Sequence, residues 1–168
     1  PVILNTTEES GFKFTIDQLE AAITPKTRAI VINSPSNPTG MVYSKEELQA
    51  IADLAVKKEI YVISDEIYEK LIYDGYQHVS IASLNDKIKE LTIVVNGVAK
   101  SYSMTGWRIG YTASNAKIAE IMGNVQSHAT SNPNSIAQKA AEAALNGPQD
   151  EVTMMAQEFI KRRDYMVE

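Results

Sequence analysis

Cysteine is absent from the 168 residues. That excludes a disulfide framework and any thiolate metal site, and it leaves an intracellular, cytoplasmic setting as the default expectation. Histidine is nearly absent too. His78 and His128 stand far apart in sequence with no suitable companions, so neither points to a metal and both read as structural or exposed. No apolar run approaches the ~20 residues that cross a bilayer, and no signal-peptide pattern opens the chain. A formal net charge of -5 offers no uniform attraction to nucleic acid or to anionic lipid, although local basic sites remain open. Internal repeats and low-complexity tracts are also missing. What remains is a length sufficient for one domain with a real core and too short for two ordinary ones. The chain starts at Pro1 and stops at Glu168 within a charged, helix-like run, so the expectation is a piece of a larger protein.

Three short apolar runs are present, at Ala29-Ile30-Val31-Ile32, Ile60-Tyr61-Val62-Ile63 and Leu91-Thr92-Ile93-Val94-Val95. They are β-branched and apolar on both faces, the pattern of central parallel strands. Between the first two, Ser44 and Glu47 form a capping box ahead of Leu48, Ile51, Ala52 and Ala55 at helical spacing. Val79 to Lys89 predicts a short helix with turns, and Thr15 with Gln18 predicts an earlier capped helix near Ile16 to Ile23. Val2-Ile3-Leu4 is compatible with an edge strand. Trp107 to Ala113 predicts a fourth strand. Beyond it the chain reads as helical: Asn115 to His128 carries Ile118, Ile121, Met122 and Val125 on one stripe, Pro133 opens a second helix, and Gly147-Pro148 separates it from a third. Strand, helix, strand, helix, strand is the βαβ order of a doubly wound α/β sheet.

Polar groups follow each apolar run. Asn33-Ser34-Pro35-Ser36-Asn37-Pro38-Thr39-Gly40 comes after the first, Ser64-Asp65-Glu66-Ile67-Tyr68 after the second, and Asn96 to Lys100 after the third. In an open parallel sheet these positions share the carboxyl edge, where ligand sites are built. Lys100 at a strand end is a candidate covalent amine catalyst, and Arg108, returning through a glycine-rich loop, is a candidate phosphate clamp. Taken singly, Asn37 is equally a cap in a rigid turn, and Asp65 is equally a solvated strand-end carboxylate. Together, Asn37, Asp65, Tyr68, Lys100 and Arg108 suit one anionic aromatic ligand.

Ser34-Pro35-Ser36-Asn37-Pro38-Thr39-Gly40, Ser64-Asp65-Glu66-Ile67-Tyr68 and Lys100-Ser101-Tyr102-Ser103-Met104-Thr105-Gly106-Trp107-Arg108-Ile109-Gly110-Tyr111 resemble, in order and spacing, the signatures of the aspartate aminotransferase family of pyridoxal-phosphate enzymes. The resemblance spans the chain. It implies a three-layer αβα large domain with a mostly parallel sheet, of which residues 1–168 are a part. The beginning of that domain and the small C-terminal domain would lie outside the chain. It implies pyridoxal 5'-phosphate as cofactor, amino-acid and 2-oxo-acid substrates, a homodimer, and no nucleic-acid or membrane partner. Lys100 would form the internal Schiff base and later act as the proton-transferring base. Asp65 would face the pyridine nitrogen, Asn37 and Tyr68 would donate to the phenolic oxygen, and Arg108 would grip the phosphate. The family's last large-domain strand runs antiparallel, which would return Arg108 to the edge that carries Lys100. Many members place serines three residues and one residue before the lysine; here Gly97 and Ala99 stand instead. Ser101, Ser103 or backbone amides are the candidates to replace those hydroxyls. Two other readings share the five residues: a lyase acting beside a sulfur substituent, and a noncatalytic core domain. The 168 residues alone are expected to be inactive.

Overall fold

Burial alternates along the first two strands of the computed structural model, which describes all 168 residues. Strands β1 (Ala29–Asn33), β2 (Tyr61–Asp65), β3 (Thr92–Gly97) and β4 (Gly110–Ala113) form one sheet in the order β1-β2-β3-β4. The first three are parallel. In β1, Ile30 and Ile32 are buried while Val31 between them is 69% exposed. With a side-chain period of two, one face of the sheet is therefore covered and the other open. The register continues both faces into β2, pairing Ile30 with Val62, Ile32 with Ser64, and Asn33 with Asp65.

Helix α2 (Lys45–Lys58) supplies much of the cover. Ser44 accepts a hydrogen bond from the Glu47 amide, and the Glu47 carboxylate accepts one from the Ser44 amide, so the first turn starts with its donors satisfied. Leu48, Ile51, Ala52, Leu54 and Ala55 then bury against the sheet, and Glu59 ends the helix in the left-handed region. Helix α1 (Ile16–Ala22) opens with the expected Thr15 and Gln18 box and buries Leu19. After β2, a 3-10 turn at Ile81–Ser83 and helix α3 (Asp86–Leu91), capped by Asn85, bury Ile81 and Ile88. These side chains, with Tyr43, make one continuous apolar core.

The remaining helices are α4 (Ala116–Ala129), α5 (Ser135–Asn146) and α6 (Asp150–Val167). Polar contacts tie two of them to earlier segments: Asn115 Nδ2 at the head of α4 donates to the Glu90 carbonyl of α3, and Tyr102 OH, in the turn after β3, donates to Gln149 Oε1 at the head of α6.

Two expectations need correction. Val2-Ile3-Leu4 joins no ladder; the sheet ends at β1, and Leu4 instead packs against the core. The fourth strand starts at Gly110, not Trp107. Thr105–Trp107 is a 3-10 turn and Arg108 has φ 52°, a left-handed conformation incompatible with a ladder. The antiparallel direction of β4 against β3 is as the resemblance implies, with Gly97 opposite Gly110.

Candidate active site

The carboxyl ends of β1, β2 and β3 place the three polar segments side by side. Alternation decides where the side chains go: Ser64 lies on the covered face and Asp65 on the open one, next to Asn33 in register. After β1 the loop folds back through Ser36 N–H to the Met41 carbonyl (2.9 Å) and Gly40 N–H to the Ser36 carbonyl (2.8 Å). Gly40 sits at φ 71°, where a side chain would be strained. That turn projects Asn37, whose Nδ2 donates to Tyr68 OH at 3.2 Å. Tyr68 belongs to a turn closed by Glu69 N–H to the Glu66 carbonyl and Leu71 N–H to the Tyr68 carbonyl. Lys100 follows β3 in another turn, and its Nζ lies 5.6 Å from the centre of the Tyr68 ring, a cation–π distance.

Asn37, Tyr68 and Lys100 are thus brought into one cluster. Asp65 reaches it through backbone: its carbonyl accepts from Ser34 N–H at 3.1 Å, while its carboxylate accepts from the Ile67 amide at 3.2 Å. Arg108 stands where β4 returns beside β3, and its Nη1 donates to the Thr105 carbonyl of its own turn at 2.9 Å. It borders a concavity of about 530 Å³ with Asn134 and Ile136, distinct from the roughly 770 Å³ cavity that includes Asn37 and Tyr68. Neither Lys100, Asp65 nor Arg108 takes part in an ion pair. The edge therefore holds an amine, a carboxylate and a guanidinium uncommitted to one another, beside an amide–phenol pair.

The glycine at position 97 has a local reason. A Cβ there would sit 3.0 Å from Gly110 Cα and 3.2 Å from the Ile109 carbonyl, so the close approach of β3 and β4 leaves no room for a side chain. The two candidate replacement hydroxyls differ. Ser101 Oγ is buried with no partner, and Ser103 Oγ donates to Met155 Sδ at 3.1 Å.

Sequence reasoning missed what lies directly beneath. Glu66, nearly fully buried, accepts from Ser64 Oγ (2.9 Å) and Ser80 Oγ (2.8 Å), and its other oxygen lies 3.0 Å from His78 Nε2. The available signal was the alternation that turns Glu66 inward when Asp65 turns outward. Glu69 brings a third ligand-type atom within 4.8 Å of Glu66 and His78, but the Glu66 oxygens are already satisfied by these hydrogen bonds. His78 is structural here. Tyr102 and Tyr111 have phenols shifted upward first by burial and then by the Glu69 carboxylate.

An α/β sheet with an amine, an amide–phenol pair, a carboxylate and a guanidinium at its carboxyl edge is the arrangement of a ligand-binding enzyme domain. Over residues 1–168 the sequence matches the family described as aminotransferase class I and II, and the chain belongs to that family. An aspartate aminotransferase of Bacillus sp. (strain YM-2) is 55% identical over 162 residues, 96% of this chain and 41% of the relative. An asparagine–oxo-acid transaminase of Streptococcus mutans is 51% identical over 96% of the chain and 41% of that protein. Among solved structures, the aspartate aminotransferase from Rhizobium meliloti superposes with a TM-score of 0.94 at 43% identity, covering 98% of this chain and 42% of its own. The aromatic aminotransferase from Pyrococcus horikoshii OT3 gives 0.90 at 44% identity, covering 95% and 43%. The chain spans about two fifths of the length of the curated relatives it matches.

Proposed function

We propose that the protein carrying this chain is a pyridoxal-phosphate-dependent aminotransferase, and that residues 1–168 are part of its cofactor-binding large domain. It moves an amino group from an amino acid to a 2-oxo acid, as a homodimer in the cytoplasm. The observation that carries this reading is the Lys100 amine over the Tyr68 ring, with Tyr68 OH held by Asn37 Nδ2, in a chain of this family.

The donor set fits the cofactor. When bound, pyridoxal phosphate supplies a carbonyl for covalent capture of amines and an electron-poor ring that acidifies the neighbouring α-carbon. Lys100 Nζ would hold the cofactor covalently and, as a free neutral amine, would be the base for the substrate's α-proton. Asp65 would favour a protonated ring nitrogen by its charge, and the Asn37–Tyr68 pair would donate to the phenolic oxygen. Arg108, whose Nη1 donates to the Thr105 carbonyl, would hold the phosphate through its planar guanidinium. No helix is long and apolar enough to cross a membrane.

Borohydride treatment of the cofactor-loaded full-length protein, followed by peptide mass mapping, places the adduct on Lys100. An adduct on Lys57 or Lys70 instead sinks the assignment. A panel of amino donors with pyruvate or 2-oxoglutarate gives amino transfer; release of pyruvate and ammonia without transfer selects the carbon–sulfur lyase. Full-length protein that neither binds the cofactor nor transfers is a noncatalytic relative.

A further inference from the structure

Asn33 is the last residue of β1 and has no part in the chemistry proposed above, yet its side chain touches both neighbouring segments of the site. Its Nδ2 donates across the sheet to the Asp65 carbonyl at 3.2 Å, alongside the Ser34 amide at 3.1 Å. Its Oδ1 accepts the Asn37 amide at 3.3 Å. An asparagine that only capped its own loop would make the second contact and not the first. Here both ends of one planar amide are used, one inside the loop and one on the next strand.

These contacts close a circuit. Asn33 fixes the Asn37 backbone, Asn37 Nδ2 donates to Tyr68 OH, and three residues of chain lead from Tyr68 back to Asp65, whose carbonyl returns to Asn33. The register between β1 and β2 stops at the Asn33–Asp65 pair and one more backbone bond, Ser34 N–H to the Asp65 carbonyl, follows it; past that point the Asn33 and Asn37 amides are the side-chain links between the two loops. The Asn33 amide is planar and short, which lets it set that spacing with little rotamer freedom to lose.

We infer that Asn33 is a positioning residue: its amide fixes the distance between Asn37 and Asp65, so that the groups meeting opposite sides of one cofactor ring are held in a single geometry. This rests on the proposed function. Small placement errors at such groups are costly to turnover even when little stability is lost.

The test uses the full-length protein with Asn33→Leu, which keeps the branched shape and removes both polar ends, and Asn33→Asp, which keeps the acceptor for Asn37 and removes the donor to Asp65. Without cofactor, hydrogen exchange at the Asn37 amide accelerates in Asn33→Leu and stays slow in Asn33→Asp. With pyridoxal phosphate, Asn33→Leu lowers kcat roughly tenfold or more, the scale of one or two lost hydrogen bonds, with KM little changed. The pH midpoint of the bound cofactor's visible band moves upward, because donation to the phenolic oxygen weakens. A fall in melting temperature with unchanged Asn37 exchange, kcat and midpoint overturns the inference while the function stands. Wild-type protein without a Lys100-dependent visible band overturns the function itself, whatever the exchange data show.

Discussion

Helices α2 and α4 have the same length, 14 residues, and each begins with a side-chain cap, Ser44 on Glu47 N–H and Asn115 on Ile118 N–H. Their fates differ. Helix α2 buries five side chains in the core, whereas α4 buries none and leaves Ile121 and Val125 more than half exposed. The contrast extends to the two parts of the chain, because the continuous core draws every member from Leu19 to Ile88. Beyond β4, only Ala137, Ala141 and Val152 are buried apolar residues. An amphipathic stripe specifies a helix and the direction it faces; it does not specify that a partner exists within the same 168 residues. The site sits between the two parts, with Asn37, Asp65 and Tyr68 on loops anchored by the core and Lys100 leading into the sparsely packed half.

The largest effect should come from α2. Ile51 is almost completely buried in the core, so Ile51→Ala removes apolar contact and leaves a cavity, and urea unfolding should show a loss of about 2 to 5 kcal/mol. A loss under about 1 kcal/mol would mean that the core around α2 is no better packed than the surface of α4.

A second replacement probes the seam between the parts. Gly97→Ala puts a methyl group against the backbone of Ile109 and Gly110, atoms that belong to the returning strand and its approach. Urea unfolding should report a cost of about 1 to 3 kcal/mol, the usual range for overpacking. Unchanged stability would show that β4 yields freely, making the second half looser than its ladder implies.

Both parts were equally legible as secondary structure because the signals are local. The boxes at Thr15 with Gln18 and Ser44 with Glu47 lie within one helical turn, and each is present in the structure. The start of β4 was misplaced because apolar residues from Trp107 onward look like a strand, while the deciding fact, the left-handed backbone of Arg108, depends on the turn before it. Val2-Ile3-Leu4 has strand composition, but a strand needs a neighbour, and composition does not provide one. At the site, motif order brought out Asn37, Tyr68 and Lys100, which the structure gathers. The partner of Arg108 depends on its own turn, while the Glu66 cage and the contacts of Asn33 depend on side-chain direction at strand ends. Only alternation hinted at those.

Tyr43 distinguishes the well-packed part by pH. Burial raises its phenol to about 12, while the unfolded chain ionises near 10. The folded state therefore holds the proton more tightly. The associated stability is intact below about pH 10 and is lost as pH rises toward 12. Urea midpoints measured from pH 9 to 12 should fall across that window, and Tyr43→Phe should flatten part of the fall. Tyr73, Tyr102 and Tyr111 are also raised by burial and keep the remainder. An identical slope in wild type and Tyr43→Phe would assign the effect entirely to those other tyrosines.

The smallest effect should come from α4, where the comparison is most exposed to failure. Ile121 is 53% exposed and Val125 64%, and they lie four residues apart on one face of the helix. Ile121→Ser and Val125→Ser remove apolar surface that water already reaches, so little transfer energy is at stake and no cavity forms. Serine's lower helix propensity relative to isoleucine is also slight, while the Asn115 cap is untouched. In the 168-residue chain each replacement should therefore change the unfolding free energy by no more than about 0.5 kcal/mol, the usual range for surface positions. The double replacement should be close to the sum, and it should raise solubility by breaking an exposed apolar stripe. A loss above about 1 kcal/mol from either single change, at concentrations where the chain is monomeric by light scattering, would mean that α4 is packed after all. The same loss appearing only at high concentration would instead place a second copy of the chain against this face.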